Sequence, residues 1–77
     1  MQPSVIEFRD SLSGAFCRLY ETVGKDGSVA NHVEHRVAGT AGSFIKTYAG
    51  SQWDAAWKEY RSRLNEVLES VEKWDNE

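Results

Sequence analysis

The chain has 77 residues, with nine basic and twelve acidic side chains, a formal net charge of −3 and 40% hydrophobic residues. That length predicts one domain, residues 1–77, and a domain this small buries only about 60% of its unfolded surface. The hydrophobic and aromatic content excludes a disordered chain, and no apolar run reaches the roughly 20 residues of a transmembrane helix. Met1 to Ser4 lack signal-peptide features, and Cys17 is the single cysteine, so we expect a protein of a reducing cytoplasm.

Alternating apolar and polar residues predict an antiparallel sheet in the first two thirds of the chain. Turn chemistry separates the alternating segments at Asp10–Gly14, at Gly24–Ser28 and at Gly39–Gly42. Because the connections are short, the strands are expected to pair in sequential order as a β-meander. We predict four strands, at about residues 4–10, 15–23, 29–38 and 43–49.

After Gly50 the apolar spacing becomes 4-3-4-3-4-3, at Trp53, Trp57, Tyr60, Leu64, Val67, Val71 and Trp74. This pattern predicts a long C-terminal helix at about 52–74 that packs on one face of the sheet, an α+β fold. Ser51 and Asp54 resemble a capping box at its start. Such a helix spans about 35 Å and an eight-residue strand about 26 Å, so the end with Val71 and Trp74 should overhang. Either the helix bends or a second copy covers that end, which leaves a weak homodimer through the helix end open.

Residues with catalytic or metal-binding chemistry do not form a pattern in this chain. His32 and His35 fall on opposite faces of the third strand, and neither has a cysteine or a second histidine at ligand spacing. The sequence has no glycine-rich phosphate loop and no arrangement of serine, histidine and carboxylate that suggests a triad. Cys17 lies within an apolar alternation, which favours a buried small hydrophobe over a nucleophile. We therefore expect no enzyme, no metal and no cofactor.

The sheet face away from the helix is the best candidate site. Arg18 belongs in solvent, so Phe16 and Tyr20 should share its face. The third strand adds His32, Glu34 and Arg36 to this face. Aromatic residues and arginines are enriched at protein interfaces. Equally, Phe16 and Tyr20 could pair across strands and only stiffen the sheet.

The same aromatic and arginine residues also fit a small nucleic-acid-binding regulator, because open sheets can stack bases on aromatic rings. The acidic end of the helix opposes that alternative. From Leu64 onward the chain has five carboxylates and a single lysine, Lys73. The carboxylates are Glu66, Glu69, Glu72, Asp75 and Glu77. Such a segment repels phosphate backbones and suits a basic protein surface, although a solvated helix face would have the same composition.

Several short motifs occur in a characteristic order along residues 4 to 57. Leu12 precedes Leu19-Tyr20-Glu21 at the end of the second strand, and Val33-Glu34, Val37 and Gly39 close the third. Tyr48 ends the fourth strand, and Trp57 lies in the helix. This order and the chain length resemble the small type I-F anti-CRISPR proteins that bind the Cas7-type backbone of the Csy surveillance complex.

The resemblance implies a four-stranded antiparallel sheet with helical structure on one face. It also implies a phage-encoded, non-catalytic inhibitor in the host bacterial cytoplasm. Such an inhibitor sits along the Cas7-type subunits and keeps target DNA from pairing with the guide RNA, with no direct nucleic-acid or membrane contact expected. After Trp57 the family has a Gly/Pro loop where this chain continues as one helix, so the resemblance ends there.

In that family the contact surface lies on the sheet and includes two tyrosines and a glutamate. Tyr20 and Glu34 match two of these positions, and we expect them to stand side by side and exposed to solvent. The third position falls at Phe8, which lacks the hydroxyl and which the alternation places inward. The predicted partner-binding residues are Tyr20, Glu34, Phe8, Phe16, Arg18 and Arg36.

Overall fold

The computed structural model describes residues 5–76. Its elements are β1 (Val5–Arg9), β2 (Phe16–Val23), β3 (Val29–Arg36), β4 (Phe44–Ala49), a 3-10 turn (Gly50–Gln52) and α1 (Trp53–Asp75). The strands form one antiparallel sheet in the order β1-β2-β3-β4, and α1 packs on one face against β2, β3 and β4. The predicted α+β fold is confirmed, with every boundary within two residues. The predictions for Met1 to Ser4 and for Glu77 lie outside the described residues.

Both β-hairpin turns of the first three strands form where the sequence predicts them. In the first, the Asp10 backbone N–H donates to the Ala15 carbonyl at 2.8 Å. In the second, the Gly24 N–H donates to the Ser28 carbonyl at 2.7 Å, and Gly27 has a φ of 85°. A side chain other than glycine is strained at that φ, so the Asp-Gly pair fixes this turn and the register of β2 with β3.

The third strand ends at Arg36, two residues before the predicted boundary, and the loop that follows it contacts the helix. The Ala38 backbone N–H donates to the Ser70 hydroxyl of α1 at 3.0 Å, so the chain at Ala38 contacts the helix and no longer follows the sheet. The loop then passes the side chain of Trp74 at Gly39. Val71 is half-buried against the core, whereas Trp74 is 40% exposed. The chain's own loop therefore covers part of the helix that extends beyond the strands.

The core lies between α1 and the two central strands. Its buried apolar residues are Ala15, Cys17, Leu19, Val33, Ala56, Tyr60 and Val67. Trp53 and Trp57 are 40% and 38% exposed, although both belong to the apolar stripe, while Ala56 outside the stripe is fully buried. Burial on the helix therefore includes the small Ala56 side chain, while Trp53 and Trp57 stay partly exposed. None of the helices within residues 5–76 combines the length and the apolar character that crossing a bilayer needs.

The junction between β4 and α1 is held by β3. The buried Asn31 amide donates to the carbonyls of Ala49 and Gly50, at 3.2 and 3.4 Å. The predicted capping box is wrong, because a 3-10 turn precedes the helix and its N-cap, Gln52, makes no side-chain capping bond. Instead the Gln52 side-chain oxygen accepts from the Ala49 N–H at 3.2 Å. A Cβ on Gly50 would lie 2.8 Å from the Val29 Cβ, so the junction needs glycine there.

Candidate protein-binding face of the sheet

The sheet face opposite α1, here called the outward face, consists of rows of side chains that run across the strands. Because Cys17, Leu19 and Val33 point to the helix, the residues between them point away from it. Row one contains Arg9, Phe16 and Arg36; row two contains Glu7, Arg18, Glu34 and Ile45; row three contains Val5, Tyr20, His32 and Thr47.

Five of the six predicted site residues lie together on the outward face: Tyr20, Glu34, Phe16, Arg18 and Arg36. Phe8 does not join them. It pairs with Cys17 across the strands and packs, half-buried, against the core under α1. The structure therefore places Phe8 on the helix side of the sheet, as the alternation predicts.

Glu34 is on the outward face but is only 8% exposed, so the prediction of an exposed carboxylate is wrong. Its Oε1 accepts from Arg18 Nε at 2.7 Å and lies 2.5 Å from Arg18 Nη2, while its Oε2 accepts from the Ser43 hydroxyl at 2.9 Å. Strand alternation gives the face of a side chain and not whether its neighbours cover it. Here a long arginine and a loop serine cover the carboxylate.

Tyr20 is half-buried beside Arg18 and His32. The Arg18 Cζ lies 4.6 Å from the centre of the Tyr20 ring, and the His32 ring stacks on it at 4.9 Å with an interplanar angle of 27°. Both nitrogens of His32 are engaged, with Thr22 Oγ1 at 2.8 Å and Thr47 Oγ1 at 2.9 Å. Within residues 5–76 no hydrogen bond reaches the Tyr20 hydroxyl, so its polar end is free for a partner.

Arg18 connects Glu34 to Tyr20. The hydrogen bond to Glu34 raises the pKa of the Arg18 guanidinium above its ordinary value, even though burial opposes the charge. The charged guanidinium then lies over the Tyr20 ring as a cation–π contact. A carboxylate, a guanidinium and an aromatic ring thus form one fixed unit in the middle of the face.

Row one forms a second cluster on the face, with two arginines beside Phe16. The sequence pattern did not identify one of these arginines, Arg9. The guanidinium carbons of Arg9 and Arg36 lie 5.9 and 5.5 Å from the centre of the Phe16 ring. Arg9 also pairs with Glu7 at 2.9 Å. The position of Arg9 follows from the register that the Asp10–Gly14 turn imposes, which is the signal that could have identified it.

The outward face and the helix differ in charge. Rows one to three carry three arginines and two glutamates, while the whole chain has a net charge of −3. The excess of carboxylates lies on the exposed side of α1, at Asp54, Glu66, Glu69, Glu72 and Asp75. The protein therefore has a slightly cationic, partly aromatic sheet face and an acidic helix face.

Polar groups on the helix side lie between the helix and the edge strand. A cleft of about 70 Å³ between β4 and α1 is lined in part by His35, Lys46, Glu59 and Arg63. Glu59 accepts from Arg63 Nε at 2.5 Å and lies 4.0 Å from the Lys46 ammonium. Burial alone would raise the pKa of Glu59, but the hydrogen bond from Arg63 and the two cations outweigh it and lower the pKa. The Arg63 contact lies within the helix, whereas Lys46 and the Tyr48 hydroxyl, at 4.0 and 3.5 Å from Glu59, link it to the edge strand.

Cys17 behaves as predicted from its apolar surroundings. It is fully buried, and burial raises the pKa of its thiol to about 11, which leaves it protonated at neutral pH. A second, open groove of about 420 Å³ lies at the far end of the helix, beside Ala38, Ser70 and Trp74. In the part of the chain that the structure describes, no three His, Cys, Asp or Glu side chains are grouped as a metal site requires.

Comparison with known proteins gives no relative for this chain. No family model matches the sequence, and neither a curated protein nor a solved structure matches it significantly.

Proposed function

We propose that this chain is a non-catalytic inhibitor that binds Cas7-type subunits of a type I CRISPR ribonucleoprotein complex with its outward face. By covering the backbone it would block pairing of target DNA with the guide RNA, in the cytoplasm of the host bacterium. The order of the short motifs around Tyr20 and Glu34 supports this choice of partner. The main structural support is that Tyr20 lies in the middle of a face that no helix of residues 5–76 covers.

The contacts of Tyr20 favour a protein partner over nucleic acid. Base stacking requires a free ring face. The Tyr20 ring already contacts Arg18 and stacks with His32, at 4.6 and 4.9 Å between centres. Within residues 5–76 the Tyr20 hydroxyl has no hydrogen bond, and tyrosine commonly uses this group as an anchor in protein interfaces.

In this proposal Glu34 acts through Arg18. Its carboxylate is largely buried and is satisfied by Arg18 and Ser43, so a partner cation would have to compete with both. Holding Arg18 over the Tyr20 ring is the role that these contacts support. The two roles can be separated. If Glu34 positions Arg18, Arg18→Gln weakens binding; if Glu34 pairs with a partner cation, Arg18→Gln frees the carboxylate and strengthens it.

The proposal is tested with a purified type I-F surveillance complex and a labelled target DNA in a gel-shift assay. The wild-type chain is expected to prevent the DNA shift. Replacing an interface anchor by alanine costs about 2 kcal/mol or more, so Tyr20→Ala should raise the inhibitory concentration about 30-fold. Phe44→Ala is the matched control, because Phe44 is an aromatic residue with 70% exposure on the other side of the sheet.

The proposal is supported if Phe44→Ala inhibits DNA binding as the wild type does and Tyr20→Ala loses inhibition. Equal inhibition by both variants would contradict the assignment of the surface. A wild-type chain that leaves DNA binding by type I complexes unchanged would contradict the assignment of the partner.

The alternative function is that of a small nucleic-acid-binding regulator. It is favoured by one observation, the presence of three arginines and two aromatic rings on the same face. Titration of bare DNA and RNA at 50 and 200 mM salt separates the two functions. Binding that weakens steeply with salt would favour the regulator, because phosphate contacts release counterions. Indifference to nucleic acid favours the inhibitor.

A further inference from the structure

The charged residues of the outward face are not fully matched. Row two supplies two carboxylates, from Glu7 and Glu34, and rows one and two contain three arginines. Glu7 pairs with Arg9 at 2.9 Å, and Glu34 pairs with Arg18 at 2.7 Å. Among the described residues, Arg36 is the outward-face arginine without an acidic partner. The imbalance is therefore located at one end of the face.

Arg36 also has an unsatisfied polar atom. Its Nε is buried and has no hydrogen-bond partner within residues 5–76, although the guanidinium lies 5.5 Å from the Phe16 ring centre. An aromatic contact stabilises the charge but does not replace a hydrogen-bond acceptor. Arg9 approaches the same ring at 5.9 Å, so two guanidinium groups of like charge lie around one phenyl group. A carboxylate bound at the solvent-facing side of row one would supply the acidic partner that Arg36 lacks among the described residues.

We propose that row one, Arg9, Phe16 and Arg36, is a carboxylate-binding subsite that takes an aspartate or glutamate side chain of a partner protein. The guanidinium group is suited to this ligand because its planar donors match the two oxygens of a carboxylate. The proposal rests on the proposed function only in taking the outward face to be a protein interface. It adds that the partner presents an acidic residue to this end of the face.

The arrangement of charges favours a single carboxylate over a nucleic-acid backbone. Row two lies two residues along each strand from row one, a distance of about 7 Å. It carries two glutamates and one arginine, so a chain of phosphates that continued from row one would meet a net negative row. A lone side-chain carboxylate binds row one without crossing row two.

The test measures the arginine Nε–H resonances of the ¹⁵N-labelled full chain by NMR, in low salt. The probe is N-acetyl-glutamate N-methylamide, and the neutral control ligand is N-acetyl-glutamine N-methylamide. A saturable shift at Arg36 with the glutamate probe, and none with the glutamine analogue, is the expected result. Arg61, an exposed arginine on the helix, serves as the internal control. Equal shifts at Arg36 and Arg61 would overturn the proposal.

Two variants complete the experiment. R36Q and R9Q should each weaken the binding of the glutamate probe at least fivefold, while R61Q should leave it unchanged. Their backbone spectra report whether the fold is kept, and the comparison of the two probes on the wild-type chain stands even if one variant unfolds. An octathymidylate that shifts Arg36 more strongly than the glutamate probe would assign the subsite to nucleic acid and refute the proposal. Because no CRISPR complex is present, a failure here is distinct from a failure of the proposed function.

Discussion

The pair between Arg18 and Glu34 gives a quantitative prediction, because the outward face contains a second pair that serves as its control. Removing one partner of a fully buried ion pair costs about 3–5 kcal/mol. The Arg18 side chain is 36% exposed and that of Glu34 is 11% exposed, so water screens the pair in part. We therefore expect a coupling free energy of about 1.5 kcal/mol between the two side chains, at the lower end for hydrogen bonds to charged groups.

The control pair is Arg9 with Glu7. These side chains are 63% and 31% exposed and meet at 2.9 Å. Exposed pairs of this kind contribute roughly 0.2–1 kcal/mol, and we expect about 0.4 kcal/mol here. Both pairs lie on the outward face and join arginine to glutamate, so the comparison tests whether the more buried pair, which has two arginine nitrogens on one oxygen, is the stronger one.

The assay is a double-mutant cycle by urea unfolding, with glutamine as the replacement in all four positions. If Arg18→Gln alone costs about 1.5 kcal/mol of stability, its Tm should fall by roughly 6–12 °C, since 1 kcal/mol corresponds to about 4–8 °C in a domain of this size. A coupling for Arg18 and Glu34 no larger than that of the exposed pair would refute the reasoning. It would mean that Glu34 does not hold Arg18 in place over Tyr20.

Two further predictions concern the fold. Gly50→Ala should lower the free energy of unfolding by about 1–3 kcal/mol, because the new Cβ would lie 2.8 Å from a Val29 carbon. The control is Gly42→Ala, where no atom lies within 4 Å, and it should change the free energy by less than about 0.5 kcal/mol. Equal losses in the two variants, measured by urea unfolding, would contradict this prediction. The second prediction concerns Glu59, whose pKa is lowered in the folded state. Its contribution to stability is therefore present above the ordinary value of 4.5 and is lost as the pH falls below that value. Glu59→Gln should reduce the acid sensitivity of thermal unfolding between about pH 5 and 3, and an unchanged pH profile would argue against the contact with Arg63.

Periodicity was sufficient to predict the architecture of this chain. Alternation and turn chemistry place all four strands, and the 4-3 spacing gives the helix to within one residue at each end. The errors occur where the chain makes contacts that periodicity does not encode. β3 ends early because a helix side chain, Ser70, accepts from the backbone of the following loop. The capping box fails because a 3-10 turn shifts the start of the helix to Trp53.

The site could be predicted only in part, for a similar reason. Strand parity correctly puts Tyr20, Arg18 and Glu34 on one face. Strand parity does not show that the Glu34 carboxylate is covered, because that depends on the conformation of Arg18 and on the loop that brings Ser43 close. The role of Arg9 requires the register between β1 and β2, which a single sequence indicates only through its turn.

The most direct test of the account is side-chain footprinting with hydroxyl radicals, on the free chain and on the chain bound to a type I-F surveillance complex. The method reports the solvent access of each aromatic side chain, so it separates the two faces of one domain. Binding through the outward face predicts protection of Tyr20 and Phe16 in the complex and unchanged oxidation of Trp53 on the helix. Protection of Trp53 with unchanged oxidation of Tyr20, or no complex at all, would contradict the account.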